Sequence, residues 1–145
     1  TWPAIWMLNS EIDSIGWPYC GEIDIMEHVG FEPNKVYFSI HNTNLFGNVH
    51  GSTQQGVYEL NNLETSFHNY AIEWGKDFIK GYIDGTLYFN YLKSSNSFND
   101  WPYDNPFFLI INLAIGGEWG GIQGIDNSIF PASFVIDYVR LYEKE

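Results

Sequence analysis

From Phe78 to Leu92 the chain reads FIKGYIDGTLYFNYL, two β-prone runs joined at Asp84-Gly85. Asp-Gly is a preferred two-residue hairpin connection because both positions tolerate the positive φ that the tight turn requires. A hairpin here commits its segment to antiparallel sheet, and most of the remaining sequence repeats the pattern of short strand and turn. WPAIWML is an apolar run that ends in polar NSEIDS, and GWPY follows as a loop. EIDIME and KVYFSIH read as strands. HNTNLFGNVHGSTQQG is rich in Gly, Asn, Ser and Thr and reads as a long loop. FHNYAIEW sets Tyr70, Ile72 and Trp74 against Ala71 and Glu73, a strand buried on one face. SSNSFNDWPYDNP is a loop, and the Phe107–Ile115 run is apolar enough for a central strand buried on both faces. EWGGIQGIDNSIFPA is a Gly-rich loop, and SFVIDYVRLYEKE closes the chain as an alternating strand. Short strands at this spacing predict an all-β sandwich or barrel of antiparallel sheets. With 145 residues and no internal repeat or linker, one domain with one core is expected.

Charge narrows the partners. Eighteen acids against six Lys and Arg give a net charge of −12. That excludes the basic footprint needed for nucleic acid, and it disfavours anionic membranes and polyanions. A neutral ligand fits best. Aromatic residues at 19% suit a heavy β core, and they equally suit a groove lined with flat side chains that stack on sugar rings. Cys20 is alone, so no internal disulfide forms. No apolar run reaches the length of a membrane helix.

The unusual stretch is GEIDIMEHVG, where Glu22, Asp24 and Glu27 interrupt Ile23, Ile25 and Met26. On a regular strand Glu22 and Asp24 share a face, and Glu27 points into the core with the isoleucines. A β-bulge near Met26 adds one residue and returns Glu27 to the acidic face. Four in-register steps then separate the backbones of Glu22 and Glu27 by about 13 Å, which inward-leaning side chains close to several Å. Retaining glycosidases hold their carboxyls about 5 to 5.5 Å apart and inverting ones about 6.5 to 9.5 Å, so the spacing permits retention without proving it. An acid between them, as Asp24 is, can hydrogen-bond a nucleophile and split the pKa values of its neighbours. Three acids also suit a calcium ion, but calcium ligands come from flexible loops and this is an apolar strand.

These residues resemble the active-site signature of glycoside hydrolase family 16, in the bulged form of its laminarinases (endo-1,3-β-glucanases). TWPAIWML is similar to the W-P-A-x-W segment upstream of that signature, and MEHVG to its laminarinase continuation. YAIEW, the Asp84-Gly85 hairpin, NLAIGGEWGG and FVIDYVRLY resemble later family segments in the same order. The resemblance implies a β-jelly-roll sandwich of two antiparallel sheets, concanavalin-like, whose concave face forms a substrate groove. It implies that Glu22 is the nucleophile, Glu27 the general acid/base and Asp24 the assisting acid of a double displacement with no catalytic cofactor. It gives Trp2 and Trp6 as tryptophans beside the cleaved bond, with core packing as the competing reading. Trp119 resembles another cleft aromatic, with loop anchoring as its alternative. His41 matches a histidine that hydrogen-bonds sugar or a carboxylate, with a structural role as the alternative. His28, His50 and His68 form no metal spacing and read as surface or loop residues. Asp137 resembles an aspartate that helps hold a structural calcium ion on the convex face.

The family's catalytic domain is longer, with strands before the W-P-A-x-W segment. The resemblance therefore implies that residues 1–145 are one partial catalytic domain, completed by an N-terminal segment or a second chain. Unpaired backbone and open core would make the 145 residues fold poorly alone, an expectation that a complete, closed sandwich from this chain would sink. The implied activity is endo-acting hydrolysis of neutral β-1,3-glucan (laminarin) or mixed-linkage β-1,3-1,4-glucan, by a secreted enzyme that meets an insoluble polymer outside the cell. The alternatives are a non-catalytic β-glucan-binding protein of the same fold, a hydrolase of another polysaccharide such as agarose, and a lectin. The presence of both Glu22 and Glu27 weighs against the binding proteins.

Overall fold

The computed structural model describes residues 1–44 and 54–143. His50 lies outside them. Eight strands follow in chain order: β1 (Trp2–Asn9), β2 (Glu22–Glu27), β3 (Lys35–His41), β4 (Gln54–Glu59), β5 (Tyr70–Gly75), β6 (Phe78–Ile83), β7 (Thr86–Leu92) and β8 (Phe107–Ala114). They form a five-stranded sheet in the order β4-β3-β2-β1-β8 and a three-stranded sheet in the order β5-β6-β7, with all pairings antiparallel. Among the described residues helix is confined to short turns, such as Ile12–Ile15. No helix among the described residues is long and apolar enough to cross a membrane. The Asp84-Gly85 turn joins β6 to β7 with φ of 48° and 79°, the left-handed pair that selects this dipeptide.

The sheets pack face to face. Ile23, Ile25, Phe38 and Ile40 from the large sheet meet Ile79 and Phe89 from the small one, and all six are buried. Phe38 stacks on Phe89 with ring centroids 4.4 Å apart. Gly81 makes room for this contact, because a Cβ there would lie 2.3 Å from Cδ2 of Phe38. The 97–105 loop adds buried Trp101 and Tyr103 to one end of the core. Tyr103 ties in by donating its hydroxyl to the His41 carbonyl at 2.8 Å.

Four expectations fail, each for a packing reason. Gln54–Glu59 is a strand, although its Gln-Gln-Gly start reads as loop; the exposed outer edge of the large sheet tolerates polar residues. The Phe107–Ile115 run is not central: among the described residues β8 is the other edge strand and pairs only with β1. Its core-facing Leu109 and Ile111 remain 41% and 38% exposed, because the small sheet meets β8 at its start, where Trp74 packs edge to face on Phe107 at 5.4 Å, and leaves these two side chains open. The segment 131–143 forms no strand, since no ladder partner lies beside it among the described residues, although Tyr138 donates to Asn69 Oδ1 at 2.6 Å. Val135, Val139 and Leu141 are accordingly exposed. His28 is not a surface residue: it is buried, with Nδ1 2.8 Å from the Lys35 carbonyl and Nε2 3.0 Å from Glu64 Oε1. His68 lies in the loop ahead of β5, with Nδ1 2.7 Å from Asp84 Oδ2.

Candidate active site

Strand β2 lies in the middle of the large sheet, and its ladder carries the bulge that the acid spacing demands. Between Asp24 and Glu27 it advances three residues while β3 advances two, from Ser39 to Tyr37. Against β1 the same irregularity sets Asp24 beside Trp6 and Met26 beside Ile5. Ile25 and Met26 both turn to the core, which returns Glu27 to the face that carries Glu22 and Asp24. That face looks away from the small sheet. Its neighbours are set by register, with Glu22 beside His41, Asp24 beside Ser39, and Trp6 and Ala4 across on β1.

Each acid has a distinct environment. Asp24 is 3% exposed, and its Oδ2 lies 2.9 Å from Nε2 of His41. Glu22 Oε1 lies 3.6 Å from the same nitrogen. Glu27 is held at both oxygens, Oε1 by the Trp2 indole N–H at 3.1 Å and Oε2 by the Ser39 hydroxyl at 3.3 Å. Burial pushes the Glu22 carboxyl up to about 8, helped by the Asp24 charge. Asp24 is pushed well above its ordinary value by burial and then by Glu27. Glu27 is raised by burial, against the opposing pull of His41, Trp2 and Ser39. Burial also lowers His41, which keeps its imidazole neutral against two nearby acids. The cluster is therefore one in which several carboxyls share fewer negative charges than their number.

Two adjoining hollows open over these acids. One is lined by Trp2, Trp6, Asn112 and the three carboxyls, and the other by Trp17, Trp119, His41 and Gln55 together with Glu22 and Glu27. Trp2 and Trp119 meet edge to face at 5.5 Å, and Trp119 meets Tyr37 at 4.8 Å. Trp6 donates its indole N–H to Asn112 Oδ1 at 2.7 Å. Trp2, Trp6, His41 and Trp119 thus all gather at the acids. Asp137 does not: it is exposed on the 131–143 segment. Among the described residues Asp137 belongs to no group of three or more clustered acid, His or Cys side chains, so those side chains alone build no calcium site around it. Glu22, Asp24 and His41 are the one set among the described residues whose ligand atoms approach within 4.8 Å. Within it the direct His41–Asp24 contact at 2.9 Å makes a path for sharing a proton.

Sequence reasoning missed Trp17, Ser39, Gln55 and Asn112. Trp17 projects from the GWPY turn with its ring 5.9 Å from His41. An aromatic in a Gly-Pro turn just ahead of the acidic strand was its signal. Ser39 is two residues from His41 on the same strand face, so alternation alone places it. Gln55 carried no signal, because its segment reads as loop.

The profile of glycosyl hydrolases family 16 matches residues 1–140. The chain belongs to this family. It is 44% identical to a β-glucanase from Rhodothermus marinus, over 98% of this chain and 52% of that protein. Among solved structures it is similar to a laminarinase from Flavobacterium sp. UMI-01, with a TM-score of 0.82, 45% identity, and coverage of 89% of this chain and 54% of that one. It is also similar to SCLam, a non-specific endo-β-1,3(4)-glucanase, with a TM-score of 0.81, 38% identity, and coverage of 89% and 47%. This family 16 chain therefore spans about half the length of the relatives it matches. Its two antiparallel sheets are those of the family's jelly roll, and in it the bulged strand sits at the centre of the larger sheet.

Proposed function

We propose that the protein carrying this chain is an endo-acting, retaining hydrolase of β-1,3-glucan, with mixed-linkage β-1,3-1,4-glucan as a second substrate. The observation that carries this reading is the β2 bulge, which brings Glu22, Asp24 and Glu27 onto one tryptophan-lined face. The names of its relatives, laminarinase and endo-β-1,3(4)-glucanase, supply the substrate class. The polymer cannot cross a membrane, so the protein acts outside the cell.

In the first step Glu27 protonates the leaving glycosidic oxygen while Glu22 attacks the anomeric carbon. Glu27 then takes a proton from water, which releases the glycosyl group from Glu22. Glu22 must be ionised to attack, yet it sits in a site that raises its pKa to about 8. Asp24 resolves this. When the shared proton rests on Asp24, its hydroxyl can donate to the neutral Nε2 of His41, and Glu22 is left anionic. Trp2 and Trp6 offer indole faces to the sugar rings on either side.

The test is reducing-end release from laminarin, mixed-linkage glucan and agarose by the native protein and by Glu22→Gln. Release from laminarin that falls to background in the variant is expected. Release that survives the substitution, or none from any glucan by folded native protein, overturns the reading. The first product followed by proton NMR should appear as the β anomer, since an α anomer would mean inversion.

A further inference from the structure

Glu27 is gripped at both oxygens, and the two grips differ. The Trp2 indole can only donate, so its bond to Oε1 has one polarity. The Ser39 hydroxyl at Oε2 can donate or accept. A third residue decides which: the Gln55 side-chain amide donates to Ser39 Oγ at 3.1 Å from the neighbouring strand β4. Ser39 and Gln55 are register partners across β3 and β4, so the backbone ladder fixes this contact. Ser39 itself is 1% exposed at the floor of the second hollow. With one lone pair taken by Gln55, its proton is directed at Glu27.

We propose that Ser39 is a positioning residue for the Glu27 carboxyl, kept as a donor toward Oε2 by Gln55. It does not touch the scissile bond. It holds one carboxyl rotamer and leaves Oε1, bridged to Trp2, on the side where Trp2 and Trp6 line the hollow. A hydroxyl that donates to a carboxylate favours the ionised form. The relay therefore opposes the effect of burial and keeps Glu27 acidic enough to give up its proton. The other groups around Glu27 that titrate are Glu22 and Asp24 on its own strand, and His41 and Tyr37 on β3. Tyr37 is engaged by Glu32 at 2.5 Å. Strands β1, β4 and β8 bring Trp2, Trp6, Gln55 and Asn112 to the hollows, none of which titrates.

This inference rests on the hydrolase reading for its role, and its test separates the two. In the native protein, Ser39→Ala should move the basic limb of the kcat/KM profile upward by about one pH unit, the size expected for one hydrogen bond to a charged group. The acid limb, set by Glu22, should stay in place, and KM should change little. Gln55→Leu, on an exposed edge strand where folding is safe, should move the same limb the same way by a smaller amount. In the Ser39→Ala background Gln55→Leu should add nothing. A basic limb that stays put in both variants overturns the relay, as does a rise in KM with an unmoved profile, which would make Gln55 a sugar contact. The same shift is read without turnover by carbon-13 NMR of glutamate-labelled protein, with the Glu27 signal assigned by its loss in Glu27→Gln. A native protein that cleaves no glucan but whose Glu27 titration rises in Ser39→Ala would keep the relay and discard the hydrolase. An unchanged titration would discard the relay.

Discussion

Strand β2 carries three carboxyls and is buried along most of its length, whereas β8, two places away in the same sheet, carries no charge and leaves Phe108, Leu109 and Ile111 open. The difference lies in what surrounds each strand. β2 has a ladder on both sides and the small sheet across its core face, so Ile23 reaches zero exposure. On its other face the acids are covered by tryptophans and by one another. β8 has a ladder on one side, and the small sheet meets it at Phe107, where Trp74 packs, while Leu109 and Ile111 stay open. Burial is thus conferred by neighbours, and composition states only what a strand can tolerate. A strand that buries charge needs a compensating network, and β2 has one in His41, Ser39 and Trp2.

The sharpest way to break this comparison is to remove a carboxyl whose burial serves chemistry. Glu27→Gln should lower glucan hydrolysis by about 10² to 10⁴, the range for loss of a general acid, with little loss of stability. An aryl glycoside with a good leaving group should be spared in the first step, and steady-state assays on both substrates measure that split. A variant that loses stability but not activity would make the acids structural. Next in size, Ile23→Ala on the opposite face of the same strand should cost about 2–5 kcal/mol in denaturant unfolding, because the site is fully enclosed. A cost below about 1 kcal/mol would mean that the two-sheet core is not closed at β2.

The charge on β2 predicts a pH dependence that β8 lacks. Glu22 has its folded pKa raised to about 8, above the value near 4.3 of an exposed glutamate. A raised pKa means that the folded state holds a proton that the unfolded chain releases, so Glu22 costs stability as pH rises from about 4.5 toward 8. Glu22→Gln removes that cost. The variant should therefore gain on the parent across this window, by on the order of 1–3 kcal/mol after sharing with Asp24. Thermal unfolding at pH 5 and pH 8 measures it. A gap that is constant or closes with pH would show that Glu22 is already ionised in the folded protein.

What the sequence carried plainly was local. The Asp84-Gly85 turn specifies its hairpin by backbone chemistry, and the five-residue interval from Glu22 to Glu27 needs a bulge if all three acids are to share a face. Both depend on covalent neighbours and alternation alone. The edge position of β8 was hidden, because whether Leu109 meets a second sheet depends on where β5 to β7 end and not on its own segment. Strand β4 was hidden for the converse reason: Gln54, Gln55 and Gly56 are poor strand formers, and β3 supplies the ladder that makes them one. Gln55 disappeared with it, and so did the relay to Glu27. The site was legible where one strand carries it and illegible where it crosses to a neighbour.

The smallest expected effect sharpens the comparison most, since it tests the open end of the sheet. Leu109 points to the core side of β8, in register with Met7 of β1, yet is 41% exposed. Leu109→Ala removes methyl groups that are already partly hydrated, so the transfer term is small and no closed cavity forms. The expected cost is about 1 kcal/mol or less, against the several expected at Ile23. Equal costs at Leu109 and Ile23 would mean that the core side of β8 is covered in the native protein. The asymmetry between the strands would then not hold in solution. Denaturant unfolding of the two variants side by side measures the difference directly, because subtraction removes the unfolded-state reference that both share.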